Sequence, residues 1–137
     1  MLKIGDLLGG KYRILSVVGR GGMSTVYLAR NERANKNWAV KEVRKSGVNQ
    51  DQVVEQSLLT EVEIMKHLNN PHLPSIIDVI DIDDTFVIVM DFVEGNSLEK
   101  VLEHGSVSEI QVIDLAKQLC DVLLYLHSCN PPIIYRD

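Results

Sequence analysis

Apolar runs rich in β-branched and aromatic residues predict β-strands in two parts of the chain. Aromatic and β-branched residues dominate residues 12–18, 25–30 and 38–43, and glycines bound the first of these runs on both sides. A short glycine-rich link joins the first two runs, which predicts an antiparallel hairpin. Two further apolar runs, residues 76–82 and 85–92, flank a pair of aspartates and predict a second hairpin.

Between these two groups of strands the apolar residues follow a helical period. Val54, Leu58, Val62 and Met65 recur every three or four residues, which predicts a helix over residues 51–68 that ends at an Asn-Asn-Pro sequence. This part of the chain therefore combines strands with one amphipathic helix.

After Gly95 the pattern becomes helical throughout. Ser97 can cap a short helix that ends at Glu103, and Ser108 can cap a longer one. The longer helix is apolar around most of its circumference, so it requires neighbours on several sides, and the sequence offers few. We therefore expect self-association through this exposed apolar helix, or partial disorder, beyond about residue 97.

Composition and charge narrow the possible functions. The 137 residues carry a formal net charge of −5, which suits a small globular domain and argues against nucleic-acid binding through a general cationic surface. The histidines and cysteines lack the spacing of zinc ligands, so we expect no metal site. No apolar stretch reaches the ~20 residues that span a bilayer, and the N-terminus does not resemble a signal peptide. We therefore expect a cytoplasmic location.

The glycine-rich link has a pattern that suits phosphate binding. Gly19, Gly21 and Ser24 follow a Gly-x-Gly-x-x-Ser-x-Val spacing, and glycines allow main-chain N–H groups to approach a phosphate closely. A strand follows the glycines, which excludes a Rossmann turn, and the link lacks the Gly-Lys-[Ser/Thr] of a Walker A loop. A mobile hairpin tip explains this motif equally well when it is taken alone.

Two charged residues lie where apolar residues are expected to pack. Lys41 shares a strand face with Ala39 and Val43, so it either faces water on an edge strand or reaches phosphate oxygens. Glu61 lies beside the apolar stripe of the predicted helix, where it either is solvated or pairs with Lys41. Glu63 is a competing partner, although it lies further from the stripe.

Five motifs in collinear order resemble the eukaryotic-type protein kinase family, and in particular the PASTA-kinase-like catalytic domains of bacterial serine/threonine kinases. The glycine link resembles the glycine-rich loop, residues 39–41 resemble the V-A-I-K strand, and Glu61 stands where the family has its αC glutamate. Residues 90–93 resemble the gatekeeper and the hinge, and residues 135–137, Tyr-Arg-Asp, resemble the H-R-D motif. The resemblance covers nearly the whole chain.

This resemblance implies roles for individual residues. Lys41 would bind the α- and β-phosphates of ATP, Glu61 would hold that lysine, and Asp137 would be the catalytic base. Met90 would be the gatekeeper, and backbone groups of residues 91–93 would hydrogen-bond adenine. The residues that the resemblance assigns to ATP binding are Val18, Gly19, Arg20, Gly21, Gly22, Met23, Ser24, Val26, Ala39, Lys41, Met90, Asp91 and Val93.

The same resemblance implies an α+β fold. A kinase N-lobe with a five-stranded antiparallel sheet and one αC helix would occupy residues 1–90, a hinge residues 91–95, and the first helices of the C-lobe residues 96–137. Tyr135 departs from the usual histidine of H-R-D. The sequence stops at Asp137, before the family's Lys, Asn and D-F-G segment, so the protein ligands of Mg²⁺ are absent and no metal ligand is assigned.

We therefore expect an N-terminal fragment of an ATP-dependent serine/threonine protein kinase that is inactive as given and binds ATP weakly. The sequence does not identify the protein substrate, and it is compatible with a membrane anchor elsewhere in a parent protein. One alternative is a non-catalytic nucleotide- or partner-binding regulatory module built on a kinase lobe. Another is a generic α+β domain whose glycine link is an ordinary hairpin turn.

Overall fold

Antiparallel β-structure dominates the first part of the chain. The computed structural model describes residues 1–22, 24–45, 60, 62–82 and 84–134. Its strands are β1 (Leu7–Leu8), β2 (Tyr12–Arg20), β3 (Ser24–Asn31), β4 (Lys36–Arg44), β5 (Ile76–Ile82) and β6 (Thr85–Asp91). These strands form a sheet with the order β1-β2-β3-β4-β6-β5, and every neighbouring pair is antiparallel.

The five longer strands confirm the strands predicted from the apolar, β-branched and aromatic runs. The sheet has six strands rather than the predicted five, because β1 pairs with the start of β2. A strand of two residues is too short to produce an alternating pattern, so it leaves no signal in the sequence. Strand β2 extends to Arg20 and strand β4 begins at Lys36, so both are longer than predicted.

One face of the sheet carries the hydrophobic core of this part of the chain. Because side chains alternate along a strand, every second residue of β3, β4 and β6 contributes to it. The register aligns Tyr27 with Val40, and Val40 with Val89. The Tyr12 ring meets the Trp38 ring edge-on, with 6.5 Å between centroids. The buried cluster comprises Leu8, Tyr12, Ile14, Tyr27, Ala29, Trp38, Val40, Val87 and Val89.

Two helices begin at the serines that the sequence indicates as caps. Helix α1 (Leu98–Glu103) follows Ser97, whose side chain accepts a hydrogen bond from a main-chain N–H of the first turn. Helix α2 (Glu109–Ser128) follows Ser108, which forms a reciprocal capping box with Gln111. Both predictions are therefore confirmed.

The helix predicted over residues 51–68 lies largely outside the described residues. Within the part that is described, residues 62–66 are helical and Val62 is buried. The helical conformation of this stretch agrees with the apolar stripe that predicted it.

The chain divides into two compact units. The first comprises Met1–Asn69 and Pro74–Val93, and the second comprises Asn70–Leu73 and Glu94–Asp137. The sheet belongs to the first unit, and helices α1 and α2 belong to the second. No helix in the described residues has both the length and the apolar composition that crossing a bilayer requires. The boundaries of the two lobes and of the hinge stay predictions.

Candidate functional site

The glycine-rich turn between β2 and β3 is the first part of the candidate site. Strand β2 ends at Arg20 and β3 begins at Ser24, and the Gly21 N–H donates to the Ser24 carbonyl oxygen at 2.8 Å. A Cβ atom added at Gly19 or Gly22 would meet no other atom of the described chain within 4 Å. Contacts within the described chain therefore do not require glycine at these two positions, and the space beside them is open.

Strand β2 is irregular where it approaches this turn. Its register with β3 shifts between Val17 and Gly19, so that Val18 has no partner in the ladder. A bulge of this kind bends a strand and redirects its side chains. Val18 is 55% exposed, and its neighbour Gly19 lies opposite Val26. The bulge therefore leaves the Val18 side chain accessible beside the glycine turn.

Lys41 lies in the interior of the sheet, on the face opposite the buried core cluster. Strand β4 pairs with β3 on one side and with β6 on the other, so the alternative of an edge-strand lysine is wrong. The register aligns Val26 and Ile88 with Lys41, and it aligns Met90 with Ala39. Cross-strand neighbours on one face have Cβ atoms about 5 Å apart. The register thus brings predicted site residues from three strands into one patch.

Three predicted site residues, Met23, Glu61 and Asp137, lie outside the described residues. The competing carboxylate, Glu63, is exposed and pairs with the Lys66 ammonium three residues later in the chain. The hydrogen bond from Lys66, together with its charge, lowers the pKa of Glu63. Glu63 therefore has a partner of its own on the helix surface.

The end of β6 contains the predicted gatekeeper and the start of the predicted hinge. Asp91 accepts hydrogen bonds from the Lys36 ammonium and from the Ser75 N–H, each at 3.1 Å. Burial acts to raise the pKa of Asp91, but the hydrogen bonds from Lys36 and Ser75 outweigh it and lower that pKa. Past the end of β6, Val93 is exposed, and in the described residues its main chain forms no hydrogen bond to other main-chain groups.

A buried carboxylate lies on the core face of β4. Glu42 is 4% exposed, its Oε1 accepts from the Leu2 N–H at 3.0 Å, and its Oε2 accepts from the Tyr27 hydroxyl at 2.9 Å. Burial, followed by the hydrogen bond to Glu42, raises the pKa of Tyr27. The sequence alone predicts no functional role for Glu42. Its alternation with Trp38 and Val40 is the signal that places it on the apolar face, where a carboxylate needs partners.

A small cavity opens on the Glu42 side of the glycine turn. Its volume is about 110 Å³. Sites for drug-sized ligands usually exceed roughly 300 Å³, so this cavity is too small for a nucleotide. It is lined by Met1, Arg20, Gly21, Gly22, Ser24, Thr25, Glu42 and Arg44.

Comparison with protein families agrees with this arrangement of turn, strands and helices. The family model described as "Protein kinase domain" matches residues 12–137, which is nearly the whole chain. The chain belongs to the protein kinase domain family. Its α+β architecture, an antiparallel sheet followed by helices, is that of a kinase N-lobe and the start of a C-lobe.

Relatives of this kinase domain include proteins from bacteria and from eukaryotes. Myosin light chain kinase A of Dictyostelium discoideum is 34% identical over 127 residues, which cover 92% of this chain and 42% of that protein. Serine/threonine-protein kinase PrkC of Bacillus subtilis is 30% identical over 135 residues, which cover 98% of this chain and 20% of the relative. A third relative, from Clostridium perfringens and named "Probable serine/threonine-protein kinase CPE1738", is 34% identical over 135 residues, which cover 98% of this chain and 19% of that protein.

These relatives confirm the resemblance to eukaryotic-type kinases and to their bacterial serine/threonine branch. All three carry the names of kinases, which favours a kinase domain over a regulatory module. The chain spans less than half the length of each of them.

We expect substitutions of Glu42 and of its partner Tyr27 to lower the stability of the kinase domain. We expect Glu42→Ala to lower the free energy of unfolding by about 3 kcal/mol, because it removes the nearer acceptor of the Tyr27 hydroxyl, the acceptor of the Leu2 N–H and the ion-pair partner of the Met1 ammonium. Tyr27→Phe removes one neutral donor and should cost about 1 kcal/mol. Urea unfolding monitored by circular dichroism measures both. Glu63→Ala is the exposed control, and a Glu42→Ala loss no larger than that of the control contradicts the prediction.

The pKa of Asp91 predicts how the stability of the kinase domain depends on pH. A carboxyl group with a lowered pKa stabilises the fold above its unfolded value of 3.8, and this stability is lost as the pH falls through the folded-state pKa. Asp91→Asn should therefore cost about 1 kcal/mol at neutral pH. The difference from the wild type should shrink as the pH is lowered below about 4. Denaturant unfolding across this pH range tests the prediction, and a difference that does not change with pH refutes it.

Proposed function

We propose that the chain supplies the ATP-binding part of a serine/threonine protein kinase, an enzyme that transfers the γ-phosphate of ATP to protein hydroxyl groups. The observation that carries this proposal is the register of β4, which aligns Val26 with Lys41 and Ala39 with Met90 on one face of the sheet. A cation, apolar side chains and open glycines beside one another provide the groups that an adenine nucleotide requires.

In this proposal the phosphates and the adenine meet different elements. The Lys41 ammonium binds the α- and β-phosphates, and the main chain around Gly19 and Gly22 approaches them closely. The open space at both glycines supports this role, because it leaves room for phosphates beside the main chain. Val26 and Ala39 contact the adenine ring, and its edge accepts hydrogen bonds from, and donates them to, the main chain of Val93, which forms no main-chain hydrogen bond within the described residues.

The remaining catalytic assignments rest on the family's motifs. Glu61 would orient Lys41, and Asp137 would accept the proton of the substrate hydroxyl as it attacks the γ-phosphorus. Phosphoryl transfer depends mainly on positioning and on neutralising phosphate charge, so these residues act by geometry and electrostatics. In this proposal the phosphoryl transfer takes place in the cytoplasm, where ATP is present.

Mg²⁺ is expected for the family, in which it neutralises charge on the β- and γ-phosphates. In the part of the chain that the structure describes, no group of three or more His, Cys, Asp or Glu side chains is arranged to hold a metal ion. We therefore assign no residue of this chain to Mg²⁺ and derive no step of the reaction through it.

The first test of this proposal is nucleotide binding. We expect the chain to bind ATP weakly, and we expect Lys41→Met to reduce the affinity for ATP about tenfold while leaving that for adenosine unchanged. The loss of one charge-assisted hydrogen bond, roughly 1.5–3 kcal/mol, accounts for the change. Titrations followed by amide NMR measure both affinities. Lys45→Met, which removes a lysine that pairs with Asp81, is the matched control.

If the wild-type chain binds neither ATP nor adenosine, the ATP-binding proposal is overturned. Equal losses for ATP and adenosine in Lys41→Met contradict the assignment of Lys41 to the phosphates. We also expect the purified chain to transfer no γ-phosphate to protein, because its sequence contains no D-F-G motif to hold Mg²⁺. Transfer that disappears in Lys41→Ala would show that this expectation is wrong.

We further propose that the chain self-associates through helix α2. Leu126 is the one residue of this helix that is buried in the described structure, whereas Ile110 is 80% and Leu124 is 71% exposed. Contiguous exposed apolar residues favour association because association removes them from water. The other large apolar residues exposed on the helix are Val112, Ile113, Leu119 and Leu123.

Sedimentation velocity over a range of concentrations tests this self-association. We expect the average sedimentation coefficient to rise with concentration, because each contact buries apolar surface worth about 25 cal/mol per Å². Leu119→Lys combined with Leu124→Lys should suppress the rise. Asp121→Lys, which places a lysine at an exposed polar position of the same helix, serves as the control. A wild-type chain that stays monomeric throughout contradicts the proposal.

A further inference from the structure

Hydrogen bonds from two flanking segments converge on the side chain of Asp91 at the end of β6. Lys36, at the start of β4, donates to its Oδ1 at 3.1 Å, and the N–H of Ser75, immediately before β5, donates to its Oδ2 at 3.1 Å. Strands β4 and β5 are the two neighbours of β6 in the sheet. One carboxylate therefore ties the end of a central strand to both of its neighbours.

The contact with Ser75 is reciprocal. The Asp91 N–H donates to the Ser75 carbonyl oxygen at 3.0 Å, while the Ser75 N–H donates to the Asp91 side chain. The ladder between β5 and β6 starts with Ile76 opposite Met90. The Asp91–Ser75 pair thus extends this ladder by one position, at the point where the chain leaves the sheet. The carboxylate takes the place that a carbonyl oxygen of a regular ladder would occupy.

The contact with Lys36 links the carboxylate to the hydrophobic core. The Lys36 ammonium lies 4.1 Å from the centre of the Trp38 ring, and Trp38 is the cross-strand partner of Asp91. Trp38 is itself buried and packs edge-on against Tyr12. A cation held over an aromatic ring has fewer alternative positions, so Lys36 presents its charge to Asp91 in a defined direction.

We propose that Asp91 is a positioning residue that fixes the main chain at the end of β6 so that the backbone of Val93 meets the adenine ring. This inference rests on the proposed function, in which the nucleotide is bound at this segment. In this proposal the Asp91 side chain acts through its bonds to Lys36 and Ser75 rather than through contact with the nucleotide. A backbone hydrogen bond to a flat ring requires placement to within about 0.5 Å, and a segment fixed before binding loses less entropy when the ligand arrives.

The set of ligands whose affinity changes shows whether Asp91 positions the main chain. Misplacement of the main chain near Val93 weakens contacts to adenine, and adenosine and ATP share these contacts. We therefore expect Asp91→Ala to weaken the binding of adenosine and of ATP by the same factor, about fivefold or more. Lys41→Met should weaken ATP binding alone.

Three further variants complete the experiment. Asp91→Asn keeps an oxygen that can accept from the Ser75 N–H, so it should lose less affinity than Asp91→Ala. Lys36→Met should resemble Asp91→Asn, because both remove the ion pair. Asp81→Asn is the matched control, because it breaks the pair of another strand carboxylate with a lysine, Lys45, in the same sheet.

The measurements are amide NMR titrations of the whole chain with adenosine and with ATP, preceded by the spectrum of each variant without ligand. We expect Asp91→Ala to lose the same factor of affinity for adenosine and for ATP. Asp91→Asn should recover part of this affinity, and Asp81→Asn should bind both ligands as the wild type does. If the wild type binds and all Asp91 variants bind with the same affinity, this inference is overturned and the proposed function is not. A loss restricted to ATP also overturns it, because the effect would then be one of charge. A wild type that binds neither ligand overturns the proposed function and the inference with it.

Discussion

The register of β4 between β3 and β6 is the constraint on which the first unit depends. Successive side chains of a strand point to opposite faces, so a slip of one residue would exchange the two faces completely. In the observed register Val40 meets Val89 within the core. Lys41, the next residue, meets Val26 on the other face. The core and the candidate ligand-binding patch are therefore two results of a single alignment.

Glu42 strengthens this alignment in a way that an apolar residue could not. Burying a carboxylate among apolar side chains costs free energy, and the hydrogen bonds from Leu2 and Tyr27 offset that cost. Both bonds require Glu42 to face the core, so a slipped register would lose them and leave the charge unpaired. The carboxylate thus penalises the incorrect alignment more than it stabilises the correct one.

Local patterns in the sequence predict the strands and the helix caps, because both depend on neighbouring residues. Ser97 and Ser108 cap helices through bonds that stay within the first turn. The partners of Asp91 could not be predicted in this way, since Ser75 lies 16 residues and Lys36 lies 55 residues away in the sequence. Composition and spacing carry no information on such distant pairs, which depend on the order of strands in the sheet.

The same limit applies to the candidate site. The glycine spacing and the alternation around Lys41 indicate which residues share a face, but they do not show which strand lies beside β4. The pairing of β4 with β6 excludes an edge position and brings Met90 opposite Ala39. Glu61 and Asp137 are assigned from motifs alone, because they lie outside the described residues.

The order of strands also has a consequence for how the unit folds. The three-stranded meander β2–β3–β4 and the hairpin β5–β6 each join strands that follow one another in the chain. Both can therefore form early with little loss of chain entropy. The contact between β4 and β6 closes a much longer loop, so its formation costs more chain entropy than that of either group. Lys41 and Ala39 arrive with the meander and Met90 with the hairpin. The ligand-binding patch is therefore complete only when β4 pairs with β6, the contact of this sheet that closes the longest loop, so a nucleotide would bind only chains in which this pairing has formed.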